Sequence, residues 1–328
     1  MKAVQFDRPG PPAAALTTRE IPTPTPGPGE VLVRMIASPV NPSDLLYVAG
    51  NYTMQPDSYP ATPGFEGVGV VEAAGGGLLG LLRKGKRVAV LGSRTGCWAE
   101  YAVCPARQVF PVPADIPDEQ AAGLFVNPLT AVVLTREVLA VPAGAWLLQS
   151  AAGSSLGKMV IALGKQNGFK TVNVVRRREQ VEELKKLGAD AVIVEGDGPL
   201  PEQVAKATGG AVGYALDPVG GATGTGVVKS LAAGGKAVLY GLLSGEPVSV
   251  DSRFMITGSK VVQGFWLADW VRKQGVLKML KLIGEVKTLV RGGTIKSDIA
   301  ATYGLDQVTA AVAHAAKDAK GGKVLLKV

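Results

Sequence analysis

A glycine-containing turn between a strand-like and a helix-like segment is the clearest sign of ligand chemistry in this sequence. It lies within WLLQSAAGSSLGKMVIALGKQNGFKTVNVVRRRE, residues 146–179, whose order is strand, turn, helix and second strand. In such a unit the backbone N–H groups of the turn and the helix N-terminus meet a pyrophosphate. The full G-x-G-x-x-G pattern is missing, but Gly153 suits the tight turn and Gly157 suits close packing of helix on strand. Ser154 and Ser155 add backbone and hydroxyl donors, so the turn predicts dinucleotide binding.

Three consecutive arginines, Arg176, Arg177 and Arg178, follow the second strand of this segment. At this place a fold that prefers NAD carries an Asp or Glu that binds the ribose hydroxyls. Guanidinium groups instead suit the 2′-phosphate of NADPH, with which they form charge-assisted and bidentate hydrogen bonds. We therefore predict NADPH as the cofactor, with a solvated cluster at a helix start as the alternative. The other glycine runs, at residues 75–80 and 220–226, do not lie between the first strand and its helix and are predicted to be turns.

The segment GNYTMQPDSYPATPGFEGVGVV, residues 50–71, is a proline-punctuated loop followed by glycines that could bring the backbone close to a ligand. Its Tyr52 could donate a hydrogen bond or a proton, because a phenol stays protonated at neutral pH. A tyrosine simply packed in the loop is the alternative. No metal site is expected, because one histidine, His314, and two cysteines, Cys97 and Cys104, are too few for the ligand sets of zinc. We predict a surface or packing role for His314.

These candidate residues need a scaffold, and the hydrophobic pattern predicts one of the α/β class. From Met1 to about Ala121, short Val/Ile/Leu-rich segments are broken repeatedly by glycine and proline, as in a β-rich domain. A helix over 126–140 follows, and strands then alternate with helices. The predicted strands of this region are 146–149, 171–175, 191–194, 211–216, 236–240 and 260–264, and its predicted helices are 156–167 and 180–187. Regular alternation implies right-handed crossovers and a parallel, doubly wound sheet.

The tail, residues 270–328, has two amphipathic helical segments and ends in the strand-like GGKVLLKV. It is too short for a domain of its own, so we expect it to return to the first one. The predicted architecture is a β-rich domain of residues 1–122 plus 268–328, with a nucleotide-binding domain of residues 123–267 inserted. A cleft between two such domains is the expected position of the site.

The composition excludes several classes of protein. The 328 residues are 47% hydrophobic, enough for a sizeable core, and 35 Lys and Arg against 27 Asp and Glu give a net charge of +8. This excess favours anionic partners or serves only solubility. Aromatic residues make up 5%, with no basic run interleaved with them, so nucleic acid is not expected as a partner. Two cysteines and the absence of an apolar run of about 18 residues predict a cytoplasmic protein without a membrane partner.

The β-rich part, the inserted dinucleotide fold and the word FEGVG, residues 65–69, together resemble the medium-chain dehydrogenase/reductase superfamily over nearly the whole chain. Members with zinc carry a histidine where this chain has Phe65, so the resemblance is to the zinc-independent branch. Within that branch the words NPSDLLYVAGNY, FVNPLTA, TVNVVRRR, LYGLL and GFWLADW look like the 2-enoyl thioester reductases, which act on acyl-CoA or acyl-carrier-protein substrates. This resemblance implies a GroES-like catalytic domain with an inserted Rossmann-type domain.

The resemblance also implies site residues. Tyr52 and Trp266 are the expected catalytic residues: Tyr52 matches the proposed proton donor, and Trp266 could wall the acyl pocket, with core or hinge packing as its alternative. The residues expected to contact the cofactor are Asn127, Gly153, Ser154, Ser155, Leu156, Arg176, Arg177, Arg178, Tyr240, Gly241, Leu242, Leu243, Phe265, Trp266, Leu267 and Lys323. One departure concerns the pocket, because these reductases usually have G-N-E where this chain has Gly64-Phe65-Glu66.

The implied activity is NADPH-dependent reduction of a trans-2-enoyl thioester, with a hydride added at Cβ and a proton at Cα. An NADPH:quinone oxidoreductase is the alternative within the superfamily, and a non-catalytic NADPH-binding protein is an alternative of another class. Retention of Tyr52, Asn127 and Trp266 together favours an enzyme, because cofactor binding alone requires no proton donor. Members commonly dimerise through edge strands of their nucleotide sheets, so a homodimer is expected.

Overall fold

The computed structural model describes residues 1–317 and 321–328, and the chain divides into two compact units. Unit 1 comprises residues 1–126 and 296–328, and unit 2 comprises residues 127–295. Within the described part of the chain, no helix is both long and apolar enough to cross a bilayer.

The segment 268–295, which the sequence pattern placed with the first domain, lies in unit 2. Its main helix, Val276–Arg291, buries one face and forms an ion pair between Glu285 and Arg136, so it is anchored to residues of unit 2. The amphipathic pattern predicted this helix but did not indicate which part of the chain its apolar face would pack against.

The secondary structure follows the predicted change from a β-rich to an alternating pattern. In chain order the strands are β1 (Lys2–Gln5), β2 (Thr17–Glu20), β3 (Glu30–Pro39), β4 (Glu66–Ala74), β5 (Arg87–Leu91), β6 (Tyr101–Pro105), β7 (Val109–Pro111), β8 (Trp146–Gln149), β9 (Lys170–Val175), β10 (Ala191–Val194), β11 (Val212–Asp217), β12 (Leu231–Leu239), β13 (Val261–Gly264), β14 (Ile299–Gly304) and β15 (Lys323–Lys327). The α-helices are α1 (Pro12–Ala15), α2 (Pro42–Val48), α3 (Leu78–Arg83), α4 (Asp118–Ala122), α5 (Val126–Val132), α6 (Ser155–Asn167), α7 (Gln180–Leu187), α8 (Leu200–Thr208), α9 (Gly221–Lys229), α10 (Ser252–Gly258), α11 (Leu267–Arg272), α12 (Val276–Arg291) and α13 (Val308–Ala315). Short 3₁₀ helices cover Ala106–Gln108 and Leu305–Gln307, and a π-helix over Val133–Val138 continues α5.

Unit 1 is built on a sheet ordered β14-β15-β3-β4-β5-β7, with β6 also paired to β3. Most of its pairs are antiparallel, and β3 is central because it pairs with β15, β4 and β6. Its residues Val31, Val33 and Met35 are buried together in one core cluster. The last strand, β15, pairs antiparallel with β3, with Leu326 opposite Ser38. The part of the tail from residue 296 onward therefore returns to the first part of the chain, whereas its earlier part lies in unit 2.

Unit 2 is built on a parallel sheet ordered β10-β9-β8-β11-β12-β13. The first strand, β8, pairs with β9 on one side and with β11 on the other, so the chain winds outward in both directions. Doubly wound sheets bind ligands outside the carboxyl ends of their strands at this reversal of strand order. The predicted fold class is confirmed, and the reversal between β8 and β11 locates the binding edge.

Two glycine runs that were predicted to be turns are partly helical, which corrects that prediction. They contain the start of α3 and much of α9. In α9, a Cβ on Gly224 would lie 2.5 Å from Asp217 Oδ2. In α3, Gly80 is the buried residue, and its absent side chain lets the helix lie close to Ala74. Glycine at these positions allows close packing of a helix and does not reverse the chain.

Candidate active site

The glycine turn lies at the carboxyl end of β8, beside the reversal of strand order. Ser154 is the N-cap of α6, and its hydroxyl oxygen accepts a hydrogen bond from Gly157 N at 3.1 Å. A Cβ on Gly157 would lie 2.5 Å from the carbonyl oxygen of Ala152, so glycine is required for this packing. Because the first N–H groups of a helix lack intrahelical acceptors, the start of α6 suits an anionic group.

The side chain of Gln180 lies against this turn. A Cβ on Gly153 would be 2.0 Å from Gln180 Nε2, so a larger residue at 153 would force Gln180 to move. Gln180 is the first residue of α7 and follows Arg178 by two positions. The contact therefore brings the segment that carries the arginines over the glycine turn.

The three arginines are exposed at the carboxyl end of β9. Arg178 donates two hydrogen bonds, both of 2.7 Å, to the carboxylate of Asp197, which follows β10. Arg176 and Arg177 lie at the same sheet edge as the glycine turn, because β8 and β9 are parallel neighbours. The positions fit a 2′-phosphate group, and Asp197 already binds one of the three guanidiniums.

Sequence reasoning missed a pair of buried polar residues at the reversal of strand order. Ser150 directly follows β8 and donates a short hydrogen bond to Asp217 Oδ1, at the end of β11. Asp217 also accepts hydrogen bonds from Val219 N at 3.2 Å and Gly220 N at 2.8 Å, and so fixes the turn after β11. The word LDPVGG after an apolar strand was the available signal, because Asp commonly caps the backbone of a following turn.

The segment after β12 is held against the segment after β11. Tyr240 N donates to Asp217 O at 3.0 Å, and Leu243 N donates to Pro218 O at 2.9 Å. A Cβ on Gly241 would be 2.8 Å from that Pro218 oxygen, which explains the glycine. Burial raises the pKa of Tyr240, and its hydroxyl has no hydrogen-bond partner among residues 1–317 and 321–328. This buried hydroxyl can receive a partner from a bound group.

The segment after β13 contains the predicted residues Phe265, Trp266 and Leu267. Phe265 N donates to Leu239 O at 2.8 Å, and Trp266 is the N-cap residue of α11. The guanidinium of Arg272 lies 5.5 Å from the centre of the Trp266 ring, so the ring is packed as well as half-exposed. Asn127 lies in the first turn of α5, half-buried.

One sheet edge therefore gathers most of the predicted cofactor residues. Parallel strands end at the same edge, and each predicted segment follows one of them. The residues so placed are Gly153, Ser154, Ser155, Leu156, Arg176, Arg177, Arg178, Tyr240, Gly241, Leu242, Leu243, Phe265, Trp266 and Leu267. Their common position indicates a dinucleotide site, and their individual contacts with a cofactor stay predictions.

In unit 1, Tyr52 belongs to an aromatic cluster centred on Phe65. The Tyr52 and Phe65 rings are 5.4 Å apart and tilted by 35°, and Tyr47 meets the same Phe65 ring edge-on at 5.3 Å. Gln55 Nε2 donates to the carbonyl oxygen of Tyr52 at 2.7 Å, which closes the loop locally. The half-buried Tyr52 ring is thus positioned by Phe65, the residue at which the chain departs from the G-N-E pattern.

Lys323 lies in a buried polar network of unit 1 and not on its surface. Its ammonium donates to Asn41 Oδ1 at 2.5 Å, and Asn41 Nδ2 donates to Glu66 Oε1 at 3.0 Å. Asp44 closes the network through Asn41 N at 2.8 Å. Burial lowers the pKa of Lys323 and raises that of Asp44 to about 7. The structure gives Lys323 these partners, and its contact with a cofactor stays a prediction.

The glycines of the FEGVG segment are explained by packing. Gly64 has a φ of 103°, and a Cβ there would lie 2.5 Å from Trp98 Cδ1. A Cβ on Gly67 would lie 2.5 Å from Met35 Cε, and one on Gly69 would lie 2.4 Å from a carbonyl oxygen of β3. These glycines let β4 and the segment that precedes it lie close to their neighbours.

Among residues 1–317 and 321–328, no group of three or more His, Cys, Asp or Glu is arranged to hold a metal ion. His314 Nδ1 lies 3.0 Å from the Tyr303 hydroxyl, and the two rings meet edge-on. Cys97 and Cys104 are buried free thiols. Burial raises the pKa of both, to about 12 for Cys104, so neither is an activated nucleophile.

Both parts of the chain match known family models. Residues 27–114 match the model described as the alcohol dehydrogenase GroES-like domain. Residues 155–285 match the model described as zinc-binding dehydrogenase. The two matches fall in units 1 and 2 respectively.

Relatives of known name cover nearly the whole chain. The mitochondrial enoyl-[acyl-carrier-protein] reductase of Rattus norvegicus is 33% identical over 301 residues, which cover 90% of this chain and 80% of the rat protein. The Homo sapiens protein of the same name is 31% identical, over 99% of this chain and 88% of its own length. The crystal structure of Escherichia coli quinone oxidoreductase complexed with NADPH is 26% identical, covers all of both chains and superposes with a TM-score of 0.91.

Proposed function

This chain belongs to the medium-chain dehydrogenase/reductase superfamily, and we propose that it acts as an NADPH-dependent trans-2-enoyl thioester reductase. Within the superfamily it falls in the zinc-independent enoyl reductase branch, near the quinone oxidoreductases. The observation that carries the proposal is the single sheet edge that gathers the glycine turn and the arginines, in a chain similar to enoyl reductases over 90% of its length.

The residues at this edge fit NADPH. The start of α6 and the turn before it offer backbone N–H groups to a pyrophosphate, and Arg176 and Arg177 offer guanidiniums to a 2′-phosphate. The buried Tyr240 hydroxyl can be satisfied by a bound polar group. When bound, NADPH supplies a hydride to Cβ of the enoyl thioester.

The chain must complete the reaction by stabilising charge and delivering a proton. Hydride addition at Cβ places an electron pair over Cα and the thioester oxygen, and one proton at Cα then gives the saturated thioester. Tyr52 is assigned one of two roles. It either donates the proton to Cα or donates a hydrogen bond that stabilises the negative charge on the thioester oxygen. Its stacking on Phe65 restricts the orientation of the phenol. Trp266 is assigned to the wall of the acyl pocket.

The acyl carrier, coenzyme A or an acyl carrier protein, is the expected partner of this activity. We also propose a homodimer formed through β13, the last strand of its sheet among the described residues, which pairs with β12 and leaves Val261 exposed. Light scattering of a monomer that persists on concentration would contradict this. The buried free thiols Cys97 and Cys104 suit the reducing cytoplasm.

Quinone reduction is the second candidate, because the NADPH complex of a quinone oxidoreductase superposes on all of this chain. Both activities use the same cofactor site and differ in the hydride acceptor. A quinone receives its protons on oxygens that solvent can reach, so a positioned proton donor matters less for it.

Tyr52→Phe separates the two activities. We expect wild-type protein to oxidise NADPH much faster with a short trans-2-enoyl-CoA than with a quinone. The substitution should lower kcat on the enoyl substrate by about 10²–10⁴-fold, the usual contribution of a general acid. The Kd for NADPH should stay near the wild-type value, because the phenol is assigned to the substrate.

Tyr47→Phe is the matched control, since Tyr47 meets the same Phe65 ring and has no assigned role in proton transfer. It should leave kcat nearly unchanged. If quinone reduction is fast and unchanged by Tyr52→Phe, and turnover of enoyl-CoA is negligible, the second candidate is supported and the first is rejected.

A further inference from the structure

An unusual apolar surface lies in unit 1, on helix α3. The helix has the sequence LLGLLR, and its buried residue is Gly80. Its four leucines, Leu78, Leu79, Leu81 and Leu82, are 74%, 40%, 60% and 62% exposed. An ordinary surface helix buries its large apolar side chains and exposes its polar ones. Here the arrangement is reversed, and we call these four residues the leucine surface.

The way α3 packs explains the reversal. A Cβ on Gly80 would lie 3.3 Å from Ala74 Cβ and 3.5 Å from Val31 Cγ1, so the helix lies close against the sheet through its smallest residue. The leucines on either side cannot share that narrow contact and remain in solvent. Isolated exposed leucines need no explanation, but four on one short helix mark a surface that is covered in function.

The surroundings of the leucine surface are basic. The segment 75–87 contains no Asp or Glu. Of its four cations, Arg87 is paired with Asp118, whereas Lys84 and Lys86 are exposed after the helix. The 3₁₀ helix that packs beside α3 adds the exposed Arg107. A cavity beside α3 is lined by Leu78, Leu79 and Arg107 and also by the acidic residue Glu30. Glu30 forms an ion pair of 2.8 Å with Arg94, which compensates its charge.

We propose that the leucine surface and its basic neighbours dock the protein on the surface of an anionic phospholipid bilayer. Apolar side chains that enter the boundary of the acyl chains, with Lys and Arg at the level of the headgroups, are the pattern of helices that lie in a membrane interface. The fluid acyl chains of a bilayer can adapt to all four leucines, whereas a protein partner would need a fixed surface complementary to them. The overall charge of +8 favours the same anionic surface.

This inference differs from the expectation that no membrane takes part, which was based on the absence of a spanning segment. A peripheral contact needs no such segment. The inference is also independent of the proposed reaction, because it uses residues with no assigned role in catalysis or cofactor binding.

Co-sedimentation with lipid vesicles tests the proposal. The full-length protein should sediment with vesicles of phosphatidylcholine mixed with phosphatidylglycerol, and much less with phosphatidylcholine alone. Binding should weaken at about 0.5 M salt, because screening shortens the reach of the charges. Leu81→Ser/Leu82→Ser and Lys84→Gln/Lys86→Gln should each weaken binding by roughly tenfold or more.

Two control variants carry the same Leu→Ser and Lys→Gln double substitutions at positions in unit 2. Leu277→Ser/Leu280→Ser removes leucines that are 84% and 50% exposed on α12, and Lys206→Gln/Lys236→Gln removes two exposed cations. Both should bind vesicles like the wild type, and thermal unfolding should show that every variant is folded. The proposal is wrong if wild-type protein ignores the anionic vesicles or if test and control variants lose binding equally. It is also wrong if the leucine variant changes only the oligomeric mass in light scattering, which would make this surface an interface between copies.

Discussion

The two units handle charge in opposite ways. Unit 1 buries Asp44, Glu66 and Lys323 together around Asn41, whereas unit 2 exposes Arg176, Arg177 and Arg178 at a sheet edge. A buried charge is tolerated only when hydrogen bonds and opposite charges replace the water it has lost. An exposed charge carries no such requirement. Buried charges are therefore expected to determine stability, and exposed ones to determine affinity for a ligand.

The partners of Glu66 show how completely the buried network is satisfied. Its Oε1 accepts from Asn41 Nδ2, and its Oε2 accepts from Val126 N at 2.8 Å and Phe125 N at 3.3 Å. The carboxylate thereby fixes the backbone at the start of α5, where the V-N-P segment begins. Removal of any one member leaves its partners buried without compensation, and this predicts a large effect on folding.

Lys323→Met should give the largest loss of stability. It leaves Glu66 and the carboxyl group of Asp44 without their buried cation, and breaking a buried charged pair typically costs about 3–5 kcal/mol. Urea unfolding measures the change in the free energy of unfolding. NADPH titration of any variant that remains folded then tests the cofactor contact predicted for Lys323, whose ammonium donates to Asn41.

Lys327→Met is the control for this prediction, since it removes the same group from an exposed position of the same strand. It should change stability by no more than about 0.5 kcal/mol. A stable Lys323→Met protein with greatly weakened NADPH binding would instead support the cofactor contact expected for Lys323 from the sequence.

The buried network should also make stability depend on pH through Asp44. Burial raises the pKa of its carboxyl group from 3.8 to about 7 in the folded state. Between about pH 4 and 7 the folded protein therefore holds a proton that the unfolded chain has released. The proton on Asp44 therefore stabilises the folded state. This stabilisation is fully present below about pH 4, and it is lost as the pH rises through about 7, at up to about 1.4 kcal/mol per pH unit.

Urea unfolding at several pH values between about 4 and 8 measures this effect. Asp44→Asn cannot titrate and should lack the corresponding fall in stability with rising pH. Hydrogen bonds from arginines lower the pKa values of Asp7 and Asp251, so these carboxylates stabilise the folded state as the pH rises. Their effect on stability is opposite in sign to that of Asp44 and falls mostly below that pH range. Wild type and Asp44→Asn with identical pH profiles would show that Asp44 stays ionised at neutral pH.

The contrast between the units also explains what the sequence could predict. In unit 2, the hydrophobic periodicity predicted β8, β10 and α7 with their observed bounds. This succeeded because strand–helix alternation and the glycines that end helices are visible in short stretches of sequence. The site segments followed from this, since each comes directly after a parallel strand. The pairing of Ser150 with Asp217 was missed because it joins two strands that are adjacent only in the folded sheet.

The network of unit 1 has no local signal. Lys323 and Asn41 are separated by 282 positions, and a single lysine in a strand pattern predicts an exposed side chain. In α3 the glycine was interpreted as a turn residue, although it serves close packing and leaves the leucines outside. Tertiary contacts override local preference at both places, and such contacts are absent from a single sequence.

The smallest effect is expected from the exposed arginines, and it should appear in binding and not in folding. Arg176→Gln/Arg177→Gln should weaken NADPH binding by roughly tenfold or more, because charge-assisted hydrogen bonds to the 2′-phosphate are lost. Binding of NADH, which lacks that phosphate, should hardly change, and neither should urea unfolding.

Arg178→Gln is the internal control: its guanidinium already bonds Asp197, so its removal should matter less to the cofactor. Fluorescence titration with both nucleotides measures the two Kd values. Equal losses for NADPH and NADH would mean that the cluster supports the fold of the segment after β9, and an unchanged preference would mean that the 2′-phosphate is bound elsewhere.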